Sequence, residues 1–72
     1  MENDLKVWRA KTDVTQAELA EAVGVTRQTI NSIERGRYDP SLELAFELAD
    51  YFDCRIEDVF THSPADPEER EE

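Results

Sequence analysis

Residues 27–32 carry the side chains with the greatest capacity for specific hydrogen bonding. Their sequence is RQTINS, and its polar members are Arg27, Gln28, Thr29, Asn31 and Ser32. A guanidinium, two amides and two hydroxyls are groups that bond to base edges or to phosphate oxygens. Ile30 and Ile33 recur at helical spacing on the opposite side. The segment therefore predicts a short amphipathic helix, from Arg27 to about Arg35, with a polar outer face.

A second short helix is predicted just before this one. Thr15 and Glu18 have the spacing of a capping box, which begins a helix. Gly24 supplies the left-handed residue that ends it, and Thr26 is a good N-cap for the helix that follows. A helix, a tight glycine-containing turn and another helix with a hydrogen-bonding outer face form a helix-turn-helix.

The wider sequence resembles the phage-repressor/Cro class of transcriptional regulators, the XRE family. The likeness runs from about Leu5 to Phe60 and rests on five ordered segments, LKVWR, TQAELAEAVGV, TRQTINSIERGR, DPSLELAFELADYF and IEDVF. It implies an all-α fold, a compact five-helix lambda-repressor-like DNA-binding domain with the helix-turn-helix at helices 2 and 3. Residues 1–60 would form this domain. Residues 61–72, with two prolines and five acidic residues, read as an acidic, disordered tail in which His62 is solvated.

The resemblance also implies roles for individual side chains. Family members read bases in the major groove at the positions matching Arg27, Gln28 and Thr29, while Asn31 and Ser32 reach a base or a phosphate. Phosphate contacts are implied for Gln16, Thr26, Arg35, Arg37 and Tyr38. The residues matching Arg9 and Glu34 pair in the family, which suggests a partly buried ion pair of architectural function.

The charge of the chain is unusual for a protein that binds DNA. Its net charge is −10, yet residues 26–38 hold three arginines against one glutamate and are net positive. The basic stretch thus coincides with the predicted recognition helix and the loop after it. Two interpretations of the remaining acid stay open. In the first, the many acidic residues are a composition like that of proteins from salt-loving archaea. In the second, the acidic face repels DNA and so orients the domain, or it binds a basic partner.

The fourth helix, predicted from about Leu42 to Phe52, has more apolar residues than its core face needs. Those that match the family's core face are Leu42, Ala45, Leu48, Ala49 and Phe52. Family analogy suggests a homodimer on a palindromic operator with half-sites about 10 base pairs apart. The predicted dimer patch comprises Leu44, Phe46 and Tyr51 with Val59 and Phe60 of the last helix.

The chain departs from the family pattern after the fourth helix. Asp53 replaces the usual glycine, and Arg55, a poor cap, stands where serine or threonine is usual. The short fifth helix, Ile56 to Phe60, is therefore expected to be loosely held or stabilised by a partner. Cys54 matches a buried aliphatic and is interpreted as a small core residue.

Other function classes find little support in the sequence. One histidine and one cysteine do not make a metal site, no Gly-rich phosphate loop occurs, and no catalytic constellation, cofactor or small-molecule ligand is evident. No apolar run approaches the roughly 20 residues of a transmembrane helix, and no signal peptide is recognisable, so a cytoplasmic protein is expected. The alternative function is an acidic protein-interaction module, or an antitoxin-like protein, that keeps the fold but acts through a protein partner.

Overall fold

The computed structural model describes residues 2–61, which form five helices and one two-stranded sheet. The elements are β1 (Glu2–Asn3), α1 (Leu5–Thr12), α2 (Gln16–Val23), α3 (Arg27–Glu34), α4 (Leu42–Tyr51), α5 (Ile56–Val59) and β2 (Phe60–Thr61). The predicted five helices, with the helix-turn-helix at α2 and α3, are confirmed, and the small sheet is an addition. Most of the predicted tail, including His62, lies outside the described residues.

Local signals account for the ends of the central helices. Thr15 accepts a hydrogen bond from the Glu18 N–H at 3.0 Å, and the Glu18 carboxylate accepts from the Thr15 N–H at 3.0 Å, so the capping box is complete. Gly24 ends α2 at φ +77°. Thr26 then caps α3 by accepting from the Thr29 N–H at 3.1 Å.

One hydrophobic core joins all five helices. Its fully buried side chains are Leu5, Leu19, Ile30, Ile33, Leu48 and Val59. Trp8 is half-buried against this core, with its ring 5.9 Å from that of Phe52. The Trp8 Nε1–H donates to the carbonyl of Asp58 at 3.1 Å, which ties α1 to α5. Trp8 therefore anchors the packing, and its polar edge has a partner.

The predicted core face of α4 is wrong at its first turn. Leu44 is buried, with 8% of its surface exposed, whereas Leu42 is 69% exposed. The buried stripe follows the i, i+4, i+8 rule through Leu44, Leu48 and Phe52. Leu42 lies two residues before this stripe, about 200° around the helix from Leu44, and so faces away from it.

The last helix is shorter and better held than expected. It ends at Val59 because Phe60 is extended, at φ −110°, and pairs with Asn3 across the antiparallel sheet. The guanidinium of Arg55 offers no acceptor for a cap, but the Asp58 carboxylate accepts from the Arg55 backbone N–H at 3.0 Å. Asp53 adopts a left-handed conformation, at φ +58°.

Cys54 lies half-buried against the core beside α5. Burial raises the pKa of its thiol, and the carboxylates of Asp58 and Asp53 raise it further. A raised pKa keeps the thiol protonated at neutral pH and weakens it as a nucleophile. This environment is that of a small packing residue.

Candidate nucleic-acid interface

The two helices of the motif are locked together by the turn between them. The Val25 N–H donates to the carbonyl of Ala20 at 2.9 Å, directly after the left-handed Gly24. Ile30 and Ile33 are buried beneath α2, with at most 1% of their surfaces exposed. Because these two side chains face inward, helical geometry turns the polar residues of α3 outward.

The outward residues differ in how free they are. Arg27 and Gln28 are exposed, whereas Thr29, Asn31 and Ser32 are half-buried. The Thr29 hydroxyl lies 3.0 Å from that of Thr26, so these two hydroxyls share a hydrogen bond in the cap of α3. Arg27 and Gln28 are thus the most accessible of the predicted base-reading side chains.

Four polar side chains from two helices line one shallow cleft. Gln16 of α2 meets Arg27, Gln28 and Asn31 of α3 there. Sequence reasoning assigned all four to nucleic-acid contacts, but gave no reason for Gln16 to adjoin Asn31. A cation and three amides facing one opening offer both donors and acceptors to a polar ligand.

A hydrogen-bonded network lies directly behind this cleft. Arg9 and Glu34 form the predicted ion pair, with Arg9 Nε 2.6 Å and Nη2 3.2 Å from the two carboxylate oxygens. Arg9 Nη1 also donates to the carbonyl of Val14 at 3.0 Å. Gln16 Nε2 donates to Glu34 Oε1 at 3.0 Å and to Asn31 Oδ1 at 3.3 Å. The Glu34 carboxylate therefore joins α1, α2 and α3.

The loop after α3 continues the basic surface. Arg35, Arg37 and Tyr38 are exposed, and 49% of the Tyr38 surface is accessible. The backbone N–H groups of Gly36 and Arg37 donate to the carbonyls of Ile33 and Ser32, at 2.9 and 3.0 Å. Since those N–H groups already close the end of α3, the side chains are what the loop offers to a phosphate.

Part of the predicted dimer patch is wrong. Leu44, Val59 and Phe60 belong to the core, with between 1% and 8% of their surfaces exposed, because their side chains lie in the one buried cluster of the domain. Phe46 and Tyr51 remain at the surface, 57% and 41% exposed. The apolar residue that sequence reasoning missed is Leu42, which lies one turn before Phe46 on the same side of α4.

Asn3, which the sequence offers with Asp4 as a possible N-cap of the first helix, also makes a contact that sequence reasoning missed. Its Nδ2 donates to the carbonyl of Ile33 at 2.8 Å, and its Oδ1 accepts from the Leu5 N–H at 3.1 Å. The side chain thereby links the start of α1 to the end of α3. The second of these bonds is local and is readable as a cap; the first joins distant parts of the chain and has no signature in the sequence.

Residues 2–61 meet neither the requirements of a metal site nor those of a membrane-spanning helix. Within that range no three His, Cys, Asp or Glu residues group to hold a metal ion. The helices described there are also too short and too polar to cross a bilayer.

Comparison with known proteins places this architecture in context. Residues 5–59 match the helix-turn-helix family. A protein of Methanocaldococcus jannaschii named as an HTH-type transcriptional regulator is 53% identical over 62 residues, covering 86% of this chain and 94% of that protein.

Solved structures agree with this comparison. The SOS-response repressor LexA of Eubacterium rectale superposes with a TM-score of 0.72 at 36% identity, over 76% of this chain and 58% of that one. The chain thus spans less than two thirds of LexA. The P22 c2 repressor, solved in complex with a synthetic operator, gives a TM-score of 0.71 at 28% identity over 74% of this chain and 80% of that one.

Proposed function

The chain belongs to the XRE-type helix-turn-helix family of DNA-binding transcriptional regulators, and we propose that it binds a palindromic operator as a homodimer through α3. The observation that carries this proposal is a coincidence of charge and shape. The single net-positive stretch of the sequence, residues 26–38, forms the exposed polar face of α3 and the loop after it. A short helix with such a face fits the major groove, and its N-terminal residues reach the base edges.

Each side chain has a role that follows from its chemistry and exposure. Arg27 bonds in bidentate fashion to guanine O6 and N7, and Gln28 to adenine N6 and N7. Thr29 and Ser32, which are less exposed, contact bases or phosphates at the edge of the same surface. Phosphate contacts come from Thr26, Arg35, Arg37 and Tyr38, and they fix the register of α3 on the duplex.

The proposed dimer interface is the outer face of α4 in its corrected form. Leu42 and Phe46 lie one turn apart and are 69% and 57% exposed. Phe46 also borders a groove that contains Ala49 and Ile56, so the apolar surface continues toward α5. A second copy of the chain buries this patch and brings two α3 helices onto successive turns of one face of the duplex.

Binding of this kind needs no catalytic step, and we assign the protein no enzymatic activity. The DNA partner makes the cytoplasm the expected location.

Selection from a random duplex library tests base reading. The wild-type protein should enrich a two-fold-symmetric motif, and Gln28→Ala should lose the preference at one position of each half-site. Val7→Ser, an exposed substitution on α1, is the control and should keep the motif. A folded wild-type protein that enriches no sequence at low or at molar salt would overturn the proposal.

Sedimentation equilibrium tests the interface. Phe46→Ser should shift the protein from dimer to monomer and weaken operator binding. Val7→Ser replaces an apolar residue of α1 that is 49% exposed and should leave both properties unchanged. A wild-type protein that stays monomeric at high micromolar concentration in high salt would remove the homodimer.

A further inference from the structure

The amides of Gln16 and Asn31 have a fixed hydrogen-bond polarity, and that polarity originates at Glu34. A carboxylate only accepts hydrogen bonds, so the amide of Gln16 must turn its Nε2 toward Glu34 Oε1, which lies 3.0 Å away. The same Nε2 is 3.3 Å from Asn31. Because two facing N–H₂ groups repel each other, Asn31 must turn its Oδ1 toward Gln16.

This order leaves one unused donor and one unused acceptor. Both hydrogens of Gln16 Nε2 are engaged, and Gln16 keeps only its Oε1 free. Asn31 keeps its Nδ2 hydrogens, which donate to no residue in the range 2–61. Both side chains line the cleft with Arg27 and Gln28, on the surface that faces DNA in the proposed function.

We infer that Glu34 is a positioning residue which, through Gln16, makes Asn31 a hydrogen-bond donor toward DNA and Gln16 an acceptor. The inference rests on the proposed function. The ligand group of Asn31 is an acceptor on DNA, either a phosphate oxygen or a base atom such as N7, O6 or O4. A phosphate oxygen has no proton to donate, so the side chain of Gln16 does not contact a phosphate while Glu34 holds it. Gln16 instead accepts from an exocyclic amino group or a bridging water.

The Arg9–Glu34 ion pair fixes the orientation of the Gln16 and Asn31 amides. Arg9 donates twice to the carboxylate, and the Glu34 side chain is 7% exposed. With glutamine at position 34, Arg9 retains the new carbonyl oxygen, and the new N–H₂ faces Gln16. Gln16 then reverses its amide to accept this bond, and Asn31 reverses in turn. Asn31 would present an acceptor to DNA in place of a donor.

A double-mutant cycle on the selected operator tests the inference. Asn31→Ala should weaken binding about threefold to tenfold in the wild-type background, the usual effect of losing one hydrogen bond. In the Glu34→Gln background the same substitution should have almost no effect. Gln28→Ala is the control, because Gln28 has no bond in the network, and its effect should be the same in both backgrounds. The base preference of Asn31→Ala shows whether Asn31 donates to a base or to a phosphate. Loss of a base contact changes the preference at one position of the motif, whereas loss of a phosphate contact lowers affinity for every sequence.

A purely structural role of Glu34 predicts a different result. Glu34→Gln would then lower stability or affinity but leave the effect of Asn31→Ala intact, and that outcome would overturn the inference. So would an Asn31→Ala variant that binds as tightly as wild type. If Glu34→Gln does not fold, Gln16→Met replaces it and keeps the Arg9–Glu34 pair. Because nothing then fixes the Asn31 amide, the effect of Asn31→Ala should be smaller in that background than in the wild type.

A second experiment uses the free protein and does not depend on DNA. Amide proton NMR should show slow exchange for the Gln16 side-chain N–H₂ and fast exchange for that of Asn31, and Glu34→Gln should reverse this order. Equal exchange of the two amides in the wild-type protein would overturn the inference by itself. A wild-type protein that has this order but selects no operator would refute the proposed function instead.

Discussion

At Glu34, one carboxylate accepts hydrogen bonds from side chains on two other helices. Arg9 and Gln16 reach it from α1 and α2, and the carboxylate belongs to the last turn of α3. Ion pairs at exposed sites contribute little to stability, but the Arg9 and Glu34 side chains are only 16% and 7% exposed. Loss of one partner therefore leaves the other poorly solvated, which is more costly than the net gain from the intact pair.

Arg9→Ala is expected to lower the free energy of unfolding by about 3 kcal/mol, because Glu34 keeps its charge but retains only the neutral amide of Gln16 as a side-chain donor. The paired replacement Arg9→Met with Glu34→Leu should recover a substantial part of this loss. Urea denaturation measures both. Lys6→Ala, on the exposed side of α1, is the control and should stay within about 0.5 kcal/mol of wild type. An Arg9→Ala protein as stable as this control would contradict the prediction.

At the scale of elements, the sequence predicted correctly those features that are encoded by neighbouring residues, and it did not predict those that depend on packing between helices. The start of α2 is encoded by Thr15 and Glu18, and its end by Gly24, all within the helix or next to it. These boundaries were predicted. The burial of Leu44 instead of Leu42 depends on where α4 meets α2 and α5, and periodicity alone did not distinguish the two leucines.

The candidate site divides in the same way. Exposure of Arg27 and Gln28 followed from the buried isoleucines on the other face of α3. The bond between Gln16 and Asn31 was not predictable, because it joins two helices and depends on the orientation of two amides, which only a third residue fixes. The pairing of β1 with β2 likewise joins segments from opposite ends of the described chain.

Gly24 is the position where the conformation of one residue sets the angle between two elements. A Cβ atom there would meet no atom within 4 Å, so the cost of a side chain comes only from φ +77°. Gly24→Ala should therefore lower the free energy of unfolding by about 1–2 kcal/mol. Gly24→Asn should lower it less, because asparagine tolerates the left-handed region better. Thermal or urea unfolding would measure this order, and two variants as stable as wild type would contradict it.

At the scale of the whole molecule, a small basic face operates against a large opposing charge. The net charge is −10, and the exposed cations of the proposed interface are Arg27, Arg35 and Arg37. Long-range attraction to DNA is therefore weak, and binding depends on contacts made within the interface. Salt screens both the attraction of the arginines and the repulsion of the acidic residues.

The salt dependence of operator binding follows from the number of these cations. The two cations assigned to phosphates, Arg35 and Arg37, predict a slope of about −2 per protomer in a plot of log affinity against log salt concentration. Arg37→Gln should reduce the magnitude of that slope by about 1 per protomer. Arg55→Gln makes the same chemical change at the exposed residue before α5, outside the proposed contacts with DNA, and should leave the slope unchanged. If the two variants altered the slope equally, the proposed phosphate contacts would be wrong.

The pairing of β1 with β2 has a consequence for the order in which the protein folds. Glu2 meets Thr61 and Asn3 meets Phe60, so this contact closes a loop that contains nearly all of the described chain. Contacts between α2 and α3 close a far shorter loop and lose less chain entropy on forming. We therefore expect the helix-turn-helix to assemble early and the strand pair to close late. Destabilising substitutions in the strands should then speed unfolding and leave the refolding rate almost unchanged.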